Sequence, residues 1–242
     1  MLEGNRILAV VPARSGSKGI PNKNLRTVGG VSLVGHAGIA LSRLECIDAR
    51  IISTDSSEYA EEGRRYGLDA PFLRPAELST DEAGALETVQ HSLRESENHY
   101  GIRFDIVLII EPTSPLRRPE DVLRTTLRLL RSSADSAMTV SPLPMKFHPL
   151  KIFGLEDGKI RFYLDQGSQI VNRQQVSRKL YSRNGICYAL RRECLMDKSR
   201  IITDNTLAEV IDRTVVNIDD EGDLLWAEFM MGHELRQGRT VL

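Results

Sequence analysis

The stretch PARSGSKGIPNKN, residues 12–24, gathers Arg14, Lys18 and Lys23 with no acid among them, directly after the apolar run Ile7–Val11. Gly16 and Gly19 let backbone approach a ligand, and free amides there can cradle phosphate oxygens. Arginine adds a forked donor and lysine a mobile point charge. Together they suit a polyphosphate. The spacing is neither that of a P-loop nor of a dinucleotide fingerprint. The alternative is a solvated basic loop.

Further residues of chemical interest sit at other apolar-run ends. Ser53-Thr54-Asp55 either orients the first loop or simply caps the next helix through Asp55 or Ser56. In LRPAELSTDEA, Arg74 can reach a phosphate or base while Asp81 can cap a helix. In EPTSPLRRPED, Glu111 ends an apolar run where a carboxylate would face a ligand, and Arg117 and Arg118 can pair with Glu120 or Asp121. FHPLK offers His148 and Lys151, and the run from 171 to 185 holds Arg173, Arg178, Lys179 and Arg183. In VNIDDEGD, Asp219 and Asp220 can hold Mg²⁺, which takes one or two carboxylates plus substrate phosphates, or can cap a helix.

The elements that would position these residues alternate. Strands are expected at Arg6–Val11, Arg50–Ser53, Phe104–Ile110, Ser136–Val140, Gly185–Leu190 and Thr214–Ile218. Helices are expected at Ser32–Leu44, Ser56–Tyr66, Glu82–Tyr100, Pro119–Leu130 and Asp220–Met231. Such alternation implies an α/β fold with a mostly parallel sheet covered by helices on both faces. Residues 141–183 break the rhythm and read as an insertion, with a hairpin turn at Asp157-Gly158. The core is then 1–140 with 184–242. In an open α/β sheet ligands bind beyond the carboxyl ends of the strands, where these loops lie.

Bulk properties narrow the partners. Lys plus Arg number 32 and Asp plus Glu 33, a net charge of −1. No global field would hold nucleic acid or an anionic membrane, so anion binding must be local. No apolar segment is long enough to span a bilayer, and MLEGNRILAVV carries no basic leader. Cys46, Cys187 and Cys194 form an odd set with no Cys-x-x-Cys pair, which argues for a reducing, cytoplasmic setting.

Taken in order, ILAVVPARSGSKGIPNKN, IISTD, FLRPAELSTD, EPTSPLR, HPLK, the NRQQ to SRNG stretch and VNIDDEGD resemble the CMP-sialic acid synthetase (acylneuraminate cytidylyltransferase) family over nearly the whole chain. The resemblance implies a Rossmann-like fold, a homodimer built through residues 141–183, and Mg²⁺-dependent transfer of CMP from CTP to an acidic 2-keto sugar. It implies that Arg14 and Lys23 hold the triphosphate, with Ser17 and Lys18 in the same loop. Asn24 and Arg74 would bind the nucleotide, and backbone around Ala13 and Thr80–Asp81 would read cytosine. Glu111, Thr113, Ser114, Lys151, Arg173, Gln174 and Asn184 would bind the sugar acid. Asp219 and Asn217 would hold the metal, with Asp219 also catalytic.

Two positions depart from the family's pattern. Glu111 stands where glutamine is usual, which points toward a different sugar acid. Asn217 stands where the first of two aspartates is usual, keeping an oxygen but no charge. The sugar acid is left open among sialic, legionaminic and pseudaminic types. The rival readings are activation of the eight-carbon acid Kdo and a nucleotide-binding protein without turnover.

Overall fold

The computed structural model describes residues 1–17, 19–169 and 179–238. In chain order, β1 is Ile7–Pro12, followed by a two-strand ribbon, β2 Thr27–Val28 and β3 Val31–Ser32, and helix α1 Leu33–Ser42. Then come β4 Ala49–Ser53, α2 Ser57–Arg65, α3 Ala85–Tyr100, β5 Ile106–Ile109, α4 Pro119–Leu130 and β6 Ser136–Pro142. The hairpin β7 Phe153–Glu156 and β8 Lys159–Phe162 precedes β9 Tyr181–Arg191, α5 Arg192–Met196, β10 Thr206–Val210 and α6 Glu221–Arg236.

Six strands form one sheet in the order β10-β6-β9-β5-β1-β4. β1 runs parallel to β4 and β5, and β10 parallel to β6; β9 lies antiparallel between β5 and β6. The sheet is therefore mixed and mostly parallel, a Rossmann-like arrangement. Alternation along β1 assigns its side chains to two cores. Ile7, Ala9 and Val11 join a cluster with Val34, Leu41, Tyr59 and Val122 of α1, α2 and α4. Leu8 and Val10 join Val89 and Leu93 of α3 on the other face. Both faces are covered, so β1 and β5 read as continuous apolar runs.

Local signals start and stop the elements. The Ser32 hydroxyl accepts from the Gly35 amide and the Ser56 hydroxyl from the Tyr59 amide, capping α1 and α2. α3 stops at Gly101, whose φ of 65° suits glycine. Asp157 and Gly158 both have positive φ, as the expected tight hairpin turn requires.

One expected strand is absent. Residues 214–218 form no strand; the sheet edge beside β6 is taken by β10, which the sequence pattern did not reveal. The reason is that Val216 and Ile218 are buried in a third cluster with Ile20, Leu116 and Leu224, away from the sheet. The Ile218 amide donates to the Thr113 carbonyl at 2.8 Å, which draws the segment to the end of the sheet. The strand expected at 185–190 is longer and antiparallel, and its first residues pair with the end of β6.

Candidate active site

The basic loop is anchored on several sides. The Ala13 amide donates to the Ser53 carbonyl at 2.9 Å, extending the β1–β4 ladder by one residue. The Asn24 amide group donates to the Arg14 carbonyl at 3.2 Å and closes the loop. Ile20 is fully buried in the third cluster, a contribution of about 1.5–3 kcal/mol. Gly19 passes so close to the Asp219 carbonyl that an added Cβ would lie 2.8 Å from it, so any larger residue would push the loop off the 218–220 segment.

Asp55 supplies a further anchor. Its carboxylate accepts from the Ser15 amide and from the Ser15 hydroxyl, both at 2.8 Å. Burial alone would raise this carboxyl, but the Ser15 bonds, with the Arg74 charge, outweigh it and hold it below the usual aspartate value. Ser56 caps α2, so Asp55 is left to orient the first loop.

The described cations Arg14, Lys23 and Arg74 each have a defined partner. Arg14 pairs with Asp81 at 2.7 Å. Lys23 donates to the Ile218 carbonyl at 3.1 Å and stands 3.5 Å from the Asp219 carboxylate. Arg74 is buried; its Nε donates to the Ser53 hydroxyl at 3.1 Å and its Nη2 to the Ser53 carbonyl. Burial, with the nearby Arg14 charge, lowers Arg74 to about 10, which still leaves it charged at neutral pH.

These groups line a cavity of about 580 Å³ at the carboxyl ends of β1 and β5. Arg14, Ser17, Lys23 and Asn24 reach it from the first loop, and Arg74, Thr80 and Asp81 from the segment before α3. Glu111 and Thr113 enter after β5, and Asn217 and Asp219 before α6. Asp220 caps α6 by accepting from the Asp223 amide at 2.9 Å, while Asp223 accepts from the Asp219 and Asp220 amides. The Asp219 side chain is thereby spared and is 79% exposed.

Glu111 also borders a second pocket, of about 350 Å³, that shares Ala85, Ile109 and Glu111 with the first. Its position is set by the backbone around it. Arg117 is fully buried, contrary to the expected surface pairing with Glu120 or Asp121. Its guanidinium donates to the carbonyls of Ile186 at 2.7 Å, Glu111 at 2.5 Å and Gly185 at 3.0 Å. Burial lowers it to about 10. Arg118 instead pairs with Glu234 at 2.8 Å, and Asp121 with Arg213 at 2.5 Å. Gly185, at φ 69°, faces Glu111, and an added Cβ would collide with that carboxylate and with the Ser114 hydroxyl.

A model of the cytidylyltransferase family matches residues 8–210. The chain belongs to that family. It is 29% identical over 236 residues to a CMP-N,N'-diacetyllegionaminic acid synthase of Legionella pneumophila, covering 98% of this chain and all of the relative. It is 27% identical to an N-acylneuraminate cytidylyltransferase of Escherichia coli, covering 90% of this chain and 50% of that longer relative. A solved CMP:2-keto-3-deoxy-manno-octonic acid synthetase in complex with CTP shares the fold, with a TM-score of 0.69 at 17% identity over 95% of this chain and 99% of that one. The protein is thus a nucleotidyltransferase.

Some of the residues singled out in this cytidylyltransferase's sequence lie elsewhere. Ala13 is buried and its amide is committed to Ser53. Ser114 and Asn184 are buried, and the Ser114 hydroxyl donates to the Asn184 carbonyl at 2.5 Å. Asn184 accepts from Thr139 at 2.6 Å and donates to Ser141 at 3.1 Å, so both residues buttress the Glu111 loop rather than line either pocket. Lys151 sits in a short helical turn after His148 and lines neither pocket. Lys18, Arg173 and Gln174 lie outside the described residues. Sequence reasoning missed Tyr188 and Arg200 of the second pocket, since each lies in a run with no other functional signal.

The donor set suits a hard divalent cation. Asn217 Oδ1 is buried and has no hydrogen-bond partner, and the cavity it lines also holds the exposed Asp219 carboxylate. One carboxylate and one carbonyl oxygen, completed by water and phosphate, is a usual magnesium environment.

Proposed function

We propose that the protein transfers CMP from CTP to an acidic nine-carbon 2-keto sugar and releases pyrophosphate. The carrying observation is that the cation-lined cavity and the second pocket meet at Glu111. The nucleotide occupies the first, with its triphosphate against Arg14 and Lys23, and the acceptor extends into the second. The sugar's anomeric oxygen attacks the α-phosphorus, the bond to the bridging oxygen breaks, and pyrophosphate leaves. Such a transfer needs positioning and charge stabilisation above all.

Each residue then has a task. Arg14 and Lys23 neutralise the triphosphate. Ser17 and Asn24 shape its loop, and Thr80 with Asp81 borders the base. Asp219 and Asn217 hold Mg²⁺, which when bound neutralises charge on the phosphates. The exposed Asp219 carboxylate accepts the hydroxyl proton. Glu111 and Thr113 contact the acceptor.

A second copy of the chain completes this reading. Residues 141–183 carry a hairpin whose Leu155 and Ile160 are 73% and 70% exposed, with Phe153 and Tyr163 also exposed. Burying that surface against a partner would bring Lys151 to the partner's acceptor, since it serves neither pocket of its own chain. A reducing cytoplasm fits the three free cysteines. No helix among the described residues is long and apolar enough to cross a membrane.

The test is pyrophosphate release with CTP, Mg²⁺ and a panel of sialic, legionaminic, pseudaminic and Kdo acids. Release with a nine-carbon acid is expected. Release with Kdo alone would move the acceptor to the eight-carbon class. Tight CTP binding without release from any acid would overturn the enzymatic reading.

A further inference from the structure

Helix α6 is apolar on two opposite faces. Leu224, Ala227 and Met231 point inward and join the third core cluster. The outer stripe carries Leu225, Trp226 and Phe229, which are 73%, 47% and 54% exposed. Their spacing of three and four places them on one face of the helix. The Trp226 and Phe229 rings stack at 5.3 Å, and Phe229 stacks on His233 at 6.3 Å, so the patch is one continuous flat surface. A surface helix ordinarily turns polar residues to water, and a contiguous apolar patch marks a contact.

The same stripe holds a glycine that its own chain does not require to be small. Gly232 lies inside α6, where glycine weakens a helix. Beyond the helix's own backbone, an added Cβ would meet only Arg236 Nη1, at 3.5 Å. Glycine at such a position admits the close approach of a large group from outside. Arg236, at the last turn, is exposed and makes no ion pair or hydrogen bond from its side chain among the described residues. The first turn carries Glu221 and Asp223.

These features complement one another when two copies of α6 cross antiparallel about a two-fold axis at Phe229. Each Phe229 then faces its counterpart. Trp226 falls opposite the partner's Gly232, large against small, and Leu225 falls opposite the partner's His233. Arg236 falls opposite the partner's Gly222, between the partner's Glu221 and Asp223. The two helix dipoles run in opposite directions, which adds to the attraction. An anionic membrane is a poor match for the stripe, because Glu221, Asp223 and Glu228 border it.

We propose that α6 is a self-association surface through which two copies of this chain pair antiparallel, with Trp226, Phe229 and Gly232 at its centre. The contact is isologous, so each residue serves both sides. It is distinct in sequence from the exposed hairpin of β7 and β8, and it does not depend on the reaction proposed above.

Analytical ultracentrifugation across the micromolar range compares the wild type with Phe229→Glu, Phe229→Lys and Gly232→Leu. If the hairpin also pairs, the wild type is a tetramer and each variant a dimer; if it does not, they are dimer and monomer. In both cases each variant alone has half the wild-type mass. Mixing Phe229→Glu with Phe229→Lys restores the full mass, because opposite charges then meet on the axis. Gly232→Leu blocks the partner's Trp226 while favouring the helix, so its circular dichroism is retained and its halved mass is not misfolding. Trp226 is the chain's single tryptophan, and its emission should move to shorter wavelength as the wild type associates and stay unchanged in the variants. Equal masses for the wild type and Phe229→Glu overturn the proposal. A halved mass that the Glu and Lys mixture fails to restore overturns it as well.

Discussion

The Asp55 carboxylate grips Ser15 twice, through the amide and the hydroxyl, each at 2.8 Å. The two residues come from different strand ends, Ser15 after β1 and Asp55 after β4, and β1 and β4 are parallel neighbours. The basic loop after β1 is therefore shaped before any ligand arrives. Preorganisation of this kind removes an ordering cost from binding.

Asp55→Asn loses the charge that these bonds favour. We expect KM for CTP to rise about tenfold with a smaller change in kcat. The pH dependence follows from the sign of the shift. The folded carboxyl lies below the usual value, so its stabilisation is complete above about pH 4 and is lost as the pH falls through and below that range. Melting temperatures of wild type and variant should differ at neutral pH and converge in acid. A gap that persists at low pH would mean the Ser15 contact contributes nothing through charge.

Lys23 stands between the Ile218 carbonyl and Asp219, facing the cavity. Lys23→Ala should reduce kcat about a hundredfold or more, the scale of removing one donor to developing charge. The fold should persist, because Lys23 belongs to none of the three apolar core clusters. Steady-state kinetics beside circular dichroism checks both halves, and retained turnover would remove Lys23 from its assigned task.

Gly185→Ala drives a methyl into the Glu111 carboxylate and the Ser114 hydroxyl. It also forces a side chain into positive φ at 69°. We expect a stability loss of about 1–3 kcal/mol and a larger rise in KM for the sugar acid than for CTP. Equal rises in both would show that Gly185 supports the fold without setting the Glu111 position.

Asn217 offers a neutral oxygen where a second carboxylate would strengthen a cation site. Asn217→Asp should lower the magnesium concentration that gives half-maximal rate by several-fold, and magnesium titrations of pyrophosphate release measure it. An unchanged requirement would place Asn217 outside the metal's reach.

The chemistry at strand ends was legible because it follows local rules. A continuous apolar run predicts a buried strand, and the loop after it in an α/β sheet faces the ligand crevice. Arg14, Lys23 and Glu111 were found in this way and line one cavity; Asp219 lines it too, although the strand expected before it is absent. The misreadings arose where distant backbone decided the outcome. Val216 and Ile218 have the composition of a strand, yet Ile20 and Leu116 recruit them into a separate cluster.

Sequence alone thus determined which residue types gather at which strand ends, because strand period, caps and turn residues act within a few positions of the chain. Only the tertiary structure decided their partners. Arg117 looks like a surface cation beside Arg118, but three carbonyls from Glu111, Gly185 and Ile186 converge on it and make it the buried support of the pocket wall. Arg200 looks like one charge among many until α5 and the end of β5 bring it to a pocket with Glu111. Such long-range convergence leaves no period or spacing in the chain, since it depends on how the sheet orders its strands.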